Sequence, residues 1–195
     1  MQDLPFRILI AAVMLAAMSI SGYHRRRADR LDRKIPMQEG RLSLALIRLV
    51  ALAYFAGLLT YLIHPAWMDW AHLPVPEPLR WLAAAGMVAS IPLFFWLFSK
   101  LGKNVTPTTQ VREQASLVTS GPYKWVRHPL YSVATMQVFL LSLAASNAFF
   151  AATALMTLLF LTWRTPKEEA RLIERFGDEY REYMRRTGRF LPKRL

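Results

Sequence analysis

Charge along this chain is confined to short segments that separate long uncharged runs. Four such runs stand out: Ile8–Tyr23, Leu49–Trp67, Trp81–Ser99 and Pro129–Trp163. A helix crossing the hydrocarbon core needs about 20 apolar residues, and about 17 suffice. Leu4 and Phe6 extend the first run, with Arg7 snorkelling outward. The last run holds 35 residues. That length suits two spans joined at the polar pair Ser146-Asn147. The pattern therefore predicts five spans: Leu4–Tyr23, Leu42–Ile63, Leu79–Phe98, and a hairpin that turns at Ser146-Asn147.

Beyond Trp163 the period changes. Leu172, Ile173, Phe176, Tyr180, Tyr183 and Met184 recur at close to helical spacing. This predicts an amphipathic helix over Pro166–Thr187. Thr165 is placed as its N-cap, Pro166 as its first residue and Glu168 as its third, a capping box. Gly188 is placed as its stop. The expected fold class is an all-α integral membrane protein, with five transmembrane helices and a C-terminal cytoplasmic amphipathic helix.

The net charge is +12, which taken alone suggests nucleic acid. Its distribution argues against that partner. Arg25, Arg26, Arg27, Arg30, Arg33, Lys34 and Arg41 lie between the first two spans, and Lys100, Lys103, Arg112, Lys124 and Arg127 between the third and fourth. The other two connections carry no Lys or Arg. This alternation is the positive-inside pattern. It places the N-terminus outside and the C-terminus and both basic loops in the cytoplasm. The Arg triplet directly after the first apolar run fits a retained span better than a cleaved leader. Arg48, inside the second span, reads either as a snorkelling residue or as one facing a polar pocket.

Local signals refine the picture. Pro74, Pro76 and Pro78 keep the outer connection from forming a helix, and Trp67 and Trp70 suit the interfacial belt. Gly86 and Pro92 predict a kink near Met87–Ala89. Phe94, Phe95, Trp96 and Phe98 read as belt and packing residues. The inner loop Ser99–Tyr123 has no clear period, and loops of that length are usually functional or disordered.

Candidate chemistry gathers at both borders of the last hairpin. At one lies Gly121-Pro122-Tyr123-Lys124-Trp125-Val126-Arg127-His128-Pro129-Leu130-Tyr131. At the other lies Arg164-Thr165-Pro166-Lys167-Glu168-Glu169. Pro129 suits the first turn of the fourth span, which puts His128 near a helix N-terminus, where an anionic ligand group is favoured. Arg127 and His128 read equally well as interfacial anchors. Arg164 reads as a lipid-boundary anchor or as a fork for a carboxylate or phosphate. Glu168 and Glu169 read as dipole partners or as receivers of a cationic group. Cysteine is absent, so disulfides, thiolate nucleophiles and Cys-ligated zinc are excluded. His24, His64 and His72 have no metal-ligand spacing. Phosphate-loop, zinc-protease and serine-hydrolase motifs are missing.

These segments together resemble the isoprenylcysteine carboxyl methyltransferase family, within a wider group that includes phospholipid N-methyltransferases. The resemblance is carried by Leu117-Val118-Thr119-Ser120-Gly121-Pro122-Tyr123, Val126-Arg127-His128-Pro129-Leu130-Tyr131, Arg164, Glu168-Glu169, Phe176-Gly177-Asp178-Glu179-Tyr180 and Tyr183. It covers about Leu101 to Pro192, and the five-span prokaryotic members are the nearest in form. It implies a single membrane methyltransferase domain over residues 1–195, with three spans in 1–98 and the cofactor loop, hairpin and tail helix in 99–195. The implied cofactor is S-adenosyl-L-methionine, bound by Ser116, Leu117, Val118, Tyr123, His128, Pro129, Leu130, Tyr131, Glu168 and Glu169. Arg164, facing a substrate carboxylate, and Glu168 are the implied catalytic residues. Further Asn or Gln contacts fall between Asn104 and Gln110. The family often has His where this chain has Ala115. The implied partners are a lipophilic small molecule or prenylated peptide and membrane lipid, with no metal and no nucleic acid. An amine acceptor, as in phospholipid N-methylation, and a non-enzymatic scaffold binding anionic lipid are the competing readings.

Overall fold

A computed structural model describes residues 3–31, 41–105 and 115–193. Among the described residues six α-helices follow one another: α1 Leu4–Leu31, α2 Arg41–Ile63, α3 Glu77–Leu101, α4 Pro129–Ala145, α5 Ala148–Phe176 and α6 Asp178–Arg186. Short 3-10 turns occupy Pro65–Ala71, Gly102–Asn104 and Gly121–Lys124. Among the described residues there is no β-strand, only isolated bridges pairing His72 with Asn147 and Val126 with Gly188. The helices α1, α2, α3 and α5 are long and apolar enough to cross a membrane, and α4 is a shorter apolar helix. The all-helical, multi-span class read from the sequence is borne out. At 17 residues, α4 is about 25 Å long.

The chain divides into two compact units, each drawn from three stretches. The first comprises Met1–Met18, Gly40–Pro92 and Ala134–Phe160. Its core packs Phe6, Ile10 and Val13 of α1 with Leu58 and Tyr61 of α2, Ala83, Ala84 and Met87 of α3, Leu141 and Ala144 of α4, and Phe150 of α5. Small residues let the helices approach, as is usual within a bilayer. A Cβ at Gly57 would lie 2.2 Å from the Phe149 ring.

Arg7 does not simply snorkel. Its guanidinium donates to the carbonyls of Leu62 (3.0 Å) and Ile63 (2.9 Å). These terminal carbonyls of α2 lack intrahelical partners, and a cation there also complements the helix dipole. Arg80 likewise donates to Asp3 at 2.5 Å and to Ala144 O at 3.0 Å. Arg48 is exposed, as the snorkelling account requires.

The hairpin turns where the polar break predicts. Ser146 takes a φ of 54°. Asn147 accepts from the Phe149 N–H at 3.0 Å, capping α5, and its amide donates to Met68 O at 3.1 Å.

The second unit comprises Ser19–Glu39, Leu93–Val133 and Leu161–Leu195. Three expectations are corrected, two of them within this unit and one, the outer connection, in the first. The first helix continues past Tyr23 through the Arg triplet, with His24 buried beside Phe95 and Phe98 of α3 at ring separations of 5.5 and 5.8 Å. The outer connection forms the 3-10 turn Pro65–Ala71, because its prolines at 74, 76 and 78 lie beyond it. No helix starts at Pro166. Instead α5 runs unbroken through that proline to Phe176. Thr165 is therefore no N-cap: fully buried, it donates its hydroxyl to Leu161 O at 2.6 Å, one turn back inside the helix. The break comes at Gly177, where φ is 58°, a conformation glycine adopts without steric cost. The short α6 follows, burying Tyr180 and Tyr183 on one face and exposing Asp178, Glu179, Arg181, Arg185 and Arg186 on the other. At its other end, α6 stops at Arg186 with Thr187 as its C-cap, which leaves Gly188 directly after the cap, within one residue of the expected stop.

Candidate active site

Every sequence-predicted site residue falls within the second unit. The segment after α6 explains how they meet. Residues 187–190 run back alongside 125–128 as a strap. Gly188 N–H donates to Trp125 O (3.2 Å), Arg127 N–H to Gly188 O (2.9 Å) and His128 N–H to Arg189 O (3.0 Å). The Ser132 hydroxyl adds a bond to Phe190 O at 2.5 Å. Gly188 is required by close approach: a Cβ there would lie 1.8 Å from Leu191 O. The Tyr183 hydroxyl ties α6 to the same segment through Tyr123 O at 2.6 Å.

A charged knot locks the strap to α5. Glu169 is 3% exposed and accepts from Arg127 Nε at 2.8 Å and from Arg189 Nη2 at 2.6 Å. His128 Nε2 lies 3.4 Å from the same carboxylate. Arg127 also donates to the carbonyls of Met184 (3.2 Å), in the last turn of α6, and of Thr187, its C-cap. A buried charge costs several kcal/mol unless paired and hydrogen-bonded, and here both guanidinium and carboxylate are. This occupies Glu169, although the resemblance places it among the cofactor residues.

Glu168 faces a different set of groups. Its Oε2 accepts from the Tyr131 hydroxyl at 2.7 Å. The Tyr131 ring stacks on His128, with centroids 5.4 Å apart and planes 6° from parallel. His128 is buried, and its carbonyl receives the Tyr131 N–H at 3.1 Å, so it caps α4, whose first residue is the buried Pro129. Leu130 is half-buried. Two buried phenol oxygens, those of Tyr123 and Tyr180, have no hydrogen-bond partner among the described residues. Burial, reinforced by Tyr183 and Glu168, pushes the Tyr123 phenol up; burial and Glu169 do the same for Tyr180. Burial lifts Tyr183 to about 12. All three phenols therefore stay protonated at physiological pH. Arg164 is buried one turn before Glu168, and the unbroken α5 puts the two on one face.

The inner loop contributes differently. Asn104 donates to Ser116 O at 2.9 Å and accepts from Ser116 N–H at 3.3 Å, so one amide side chain pins the chain just before half-buried Leu117 and Val118. Ser116 itself is exposed, and no hydrogen bond joins these three to Glu168 or His128 among the described residues. Gln110, within the stretch expected to supply further contacts, lies outside the described residues. Sequence reasoning missed the joint role of Arg127, Thr187, Gly188 and Arg189. The one available signal was a glycine flanked by Thr and Arg directly after the amphipathic stretch.

Fold and site together define a multi-span helical membrane protein with a buried polar cluster at the end of its longest helix. Residues 81–174 match the profile of the isoprenylcysteine carboxyl methyltransferase (ICMT) family. Over that segment, nearly half of its length, the chain is similar to that family, as its motifs suggested. It is 34% identical over 132 residues to the protein-S-isoprenylcysteine O-methyltransferase of Rattus norvegicus, an alignment covering 61% of this chain and 44% of the rat protein. It is 37% identical over 84 residues to the cobalt-zinc-cadmium resistance protein CzcN of Cupriavidus metallidurans, covering 42% of this chain and 38% of that protein. The chain thus spans less than half the length of these relatives. In fold it is similar to the eukaryotic intramembrane Ras methyltransferase ICMT, with a TM-score of 0.57 at 20% identity over 94% of this chain and 67% of that one.

Proposed function

We propose that this chain is an S-adenosylmethionine-dependent carboxyl O-methyltransferase. Its acceptor is the carboxylate of a prenylcysteine-like or other lipophilic acid, at the cytoplasmic face of the membrane. The observation that carries the reading is the Tyr131–Glu168 hydrogen bond of 2.7 Å with His128 stacked on Tyr131. It unites the two motif clusters of the sequence in one polar site. The basic segments, by the positive-inside rule, support the cytoplasmic assignment.

The residues present fit the cofactor. Its ammonium suits Glu168, its carboxylate suits the positive dipole end of α4 beyond His128, whose own N–H is given to Arg189 O, and its hydroxyls suit the unpartnered Tyr123 and Tyr180 phenols. When bound, S-adenosylmethionine supplies an electrophilic methyl group on a sulfonium. Arg164 orients the acceptor by two parallel hydrogen bonds to its carboxylate. That carboxylate, with a pKa near 4, is already ionised at neutral pH and needs no general base. Holding it in line supplies most of the rate. An amine acceptor would first have to lose a proton to a base.

Calorimetry of the detergent-purified protein with S-adenosylmethionine tests the reading. Wild type binds; His128→Ala and Glu168→Ala do not; Arg164→Ala binds but does not turn over a prenylcysteine analogue. Absence of binding by folded wild type would remove the cofactor assignment, and undiminished turnover by Arg164→Ala would remove the substrate role.

A further inference from the structure

Two clusters of exposed arginines stand out in the second unit. On α6 each is paired within one turn: Arg181 with Asp178 at 2.9 Å, and Arg185 and Arg186 with the shared Glu182, the latter at 3.5 Å. At the C-terminal end of α1, Arg25, Arg26, Arg27 and Arg30 are all exposed, and none forms an ion pair among the described residues. One carboxylate, Asp29, lies among these four arginines and has an interaction of its own, so the segment keeps an excess of positive charge that an external anion can match.

Helix geometry fixes how these four are presented. His24 and Ala28 are buried and four apart, so they share one face. At about 100° per residue, Arg26 and Arg30 project from the opposite face and Arg25 and Arg27 from its flanks. Arg26 and Arg30 are also four apart, placing two guanidiniums about one turn from each other on the outward surface. Length fixes their depth. The 28 residues of α1 make a rod about 42 Å long. The hydrocarbon layer is about 30 Å thick, so residues from Leu4 to about Tyr23 fill it. The four arginines then lie in the headgroup layer, beside the exposed ring of Tyr23, a residue type favoured at that boundary.

We propose that the end of α1 is a binding site for anionic phospholipid headgroups, with Arg26 and Arg30 sharing one phosphate and Arg25 and Arg27 flanking it. Guanidinium forks match phosphate oxygens in pairs. The lipid's acyl chains continue along the apolar part of α1, which a free phosphate cannot do. This site is independent of the methyl-transfer reading.

The test uses the full chain purified in neutral detergent, incubated with phosphatidylglycerol, phosphatidylcholine or inorganic phosphate, and read by native mass spectrometry of retained lipid. The wild type retains phosphatidylglycerol in preference to phosphatidylcholine, and inorganic phosphate does not displace it. An arginine near an anionic surface is worth about fivefold in affinity, so the R26Q/R30Q double variant loses about 25-fold. The R181Q/R185Q control, whose arginines are paired, keeps the wild-type preference. Both variants alter exposed positions, and size-exclusion profiles matching wild type establish that they are folded. Equal phosphatidylglycerol retention by R26Q/R30Q and wild type would overturn the site. Equal retention of the two lipids by wild type, or displacement by inorganic phosphate, would overturn the lipid assignment.

Discussion

Replacing Glu169 by glutamine strikes the knot at its centre while preserving shape. The Arg127 and Glu169 side chains are 8% and 3% exposed, and the Arg189 side chain is 38% exposed. The contact to Arg189 is therefore largely screened and contributes about 1 kcal/mol or less. The contact to Arg127 is not screened. Removing the charge of one partner from a buried pair costs about 3–5 kcal/mol. Glutamine retains one acceptor oxygen, and Arg127 keeps its bonds to Met184 O and Thr187 O, which places the cost near the lower bound, about 3 kcal/mol. The loss should be local to the strap. Hydrogen exchange of the detergent-purified protein should show the Arg127, His128 and Gly188 amides losing about 100-fold in protection. Amides of the first unit, such as those flanking Phe150, should change little. Arg189→Gln, which removes only the exposed contact, should lower strap protection less than about fivefold. If Glu169→Gln left the strap amides as protected as in wild type, or if Arg189→Gln matched it, the knot would not be what holds the strap.

Two further outcomes are expected. Gly188→Ala should unseat the strap without touching any charge, because the added Cβ would lie 1.8 Å from a backbone oxygen that has no free rotor to turn away; undiminished protection of the Arg127 amide would contradict this. Alkaline titration should destabilise the second unit between about pH 10 and about pH 12. Tyr183 keeps its proton up to about 12 in the folded chain, whereas in the unfolded chain it ionises near 10. Its stabilisation is complete below the lower value and is lost as pH rises through the higher one. Thermal midpoints that stay constant over that window would refute it.

The first half of this architecture was legible because charge is expensive in hydrocarbon, so a membrane protein writes its spans as gaps between charges. The polar break at Ser146-Asn147 could be located for the same reason. The course of α5 was not legible. Thr165, Pro166 and Glu168 form a local pattern that competes for a helix start, and only burial of Arg164, Thr165 and Glu169 decides for continuity. A proline inside a helix costs about 3 kcal/mol. The packed surroundings that override it belong to tertiary structure. The site was half legible: His128, Tyr131 and Glu168 stand in recognisable motifs and do come together. Arg127 and Arg189 carry no periodic signal, since their role depends on backbone pairing between 125–128 and 187–190.

That pairing has a consequence for the order in which the molecule acquires its parts. The bonds from Arg127 to Thr187 O and from Tyr183 to Tyr123 O each join residues 60 apart. Closing such a loop costs entropy that grows with its length, and contacts of high sequence separation form slowly. The intervening residues are the α4–α5 hairpin, whose own contacts are short-range and form first, shortening the effective loop. The strap therefore docks late on the folding route. A chain that has its helices but not its strap has no seated His128, so protection of the His128 amide reports that folding has reached its end.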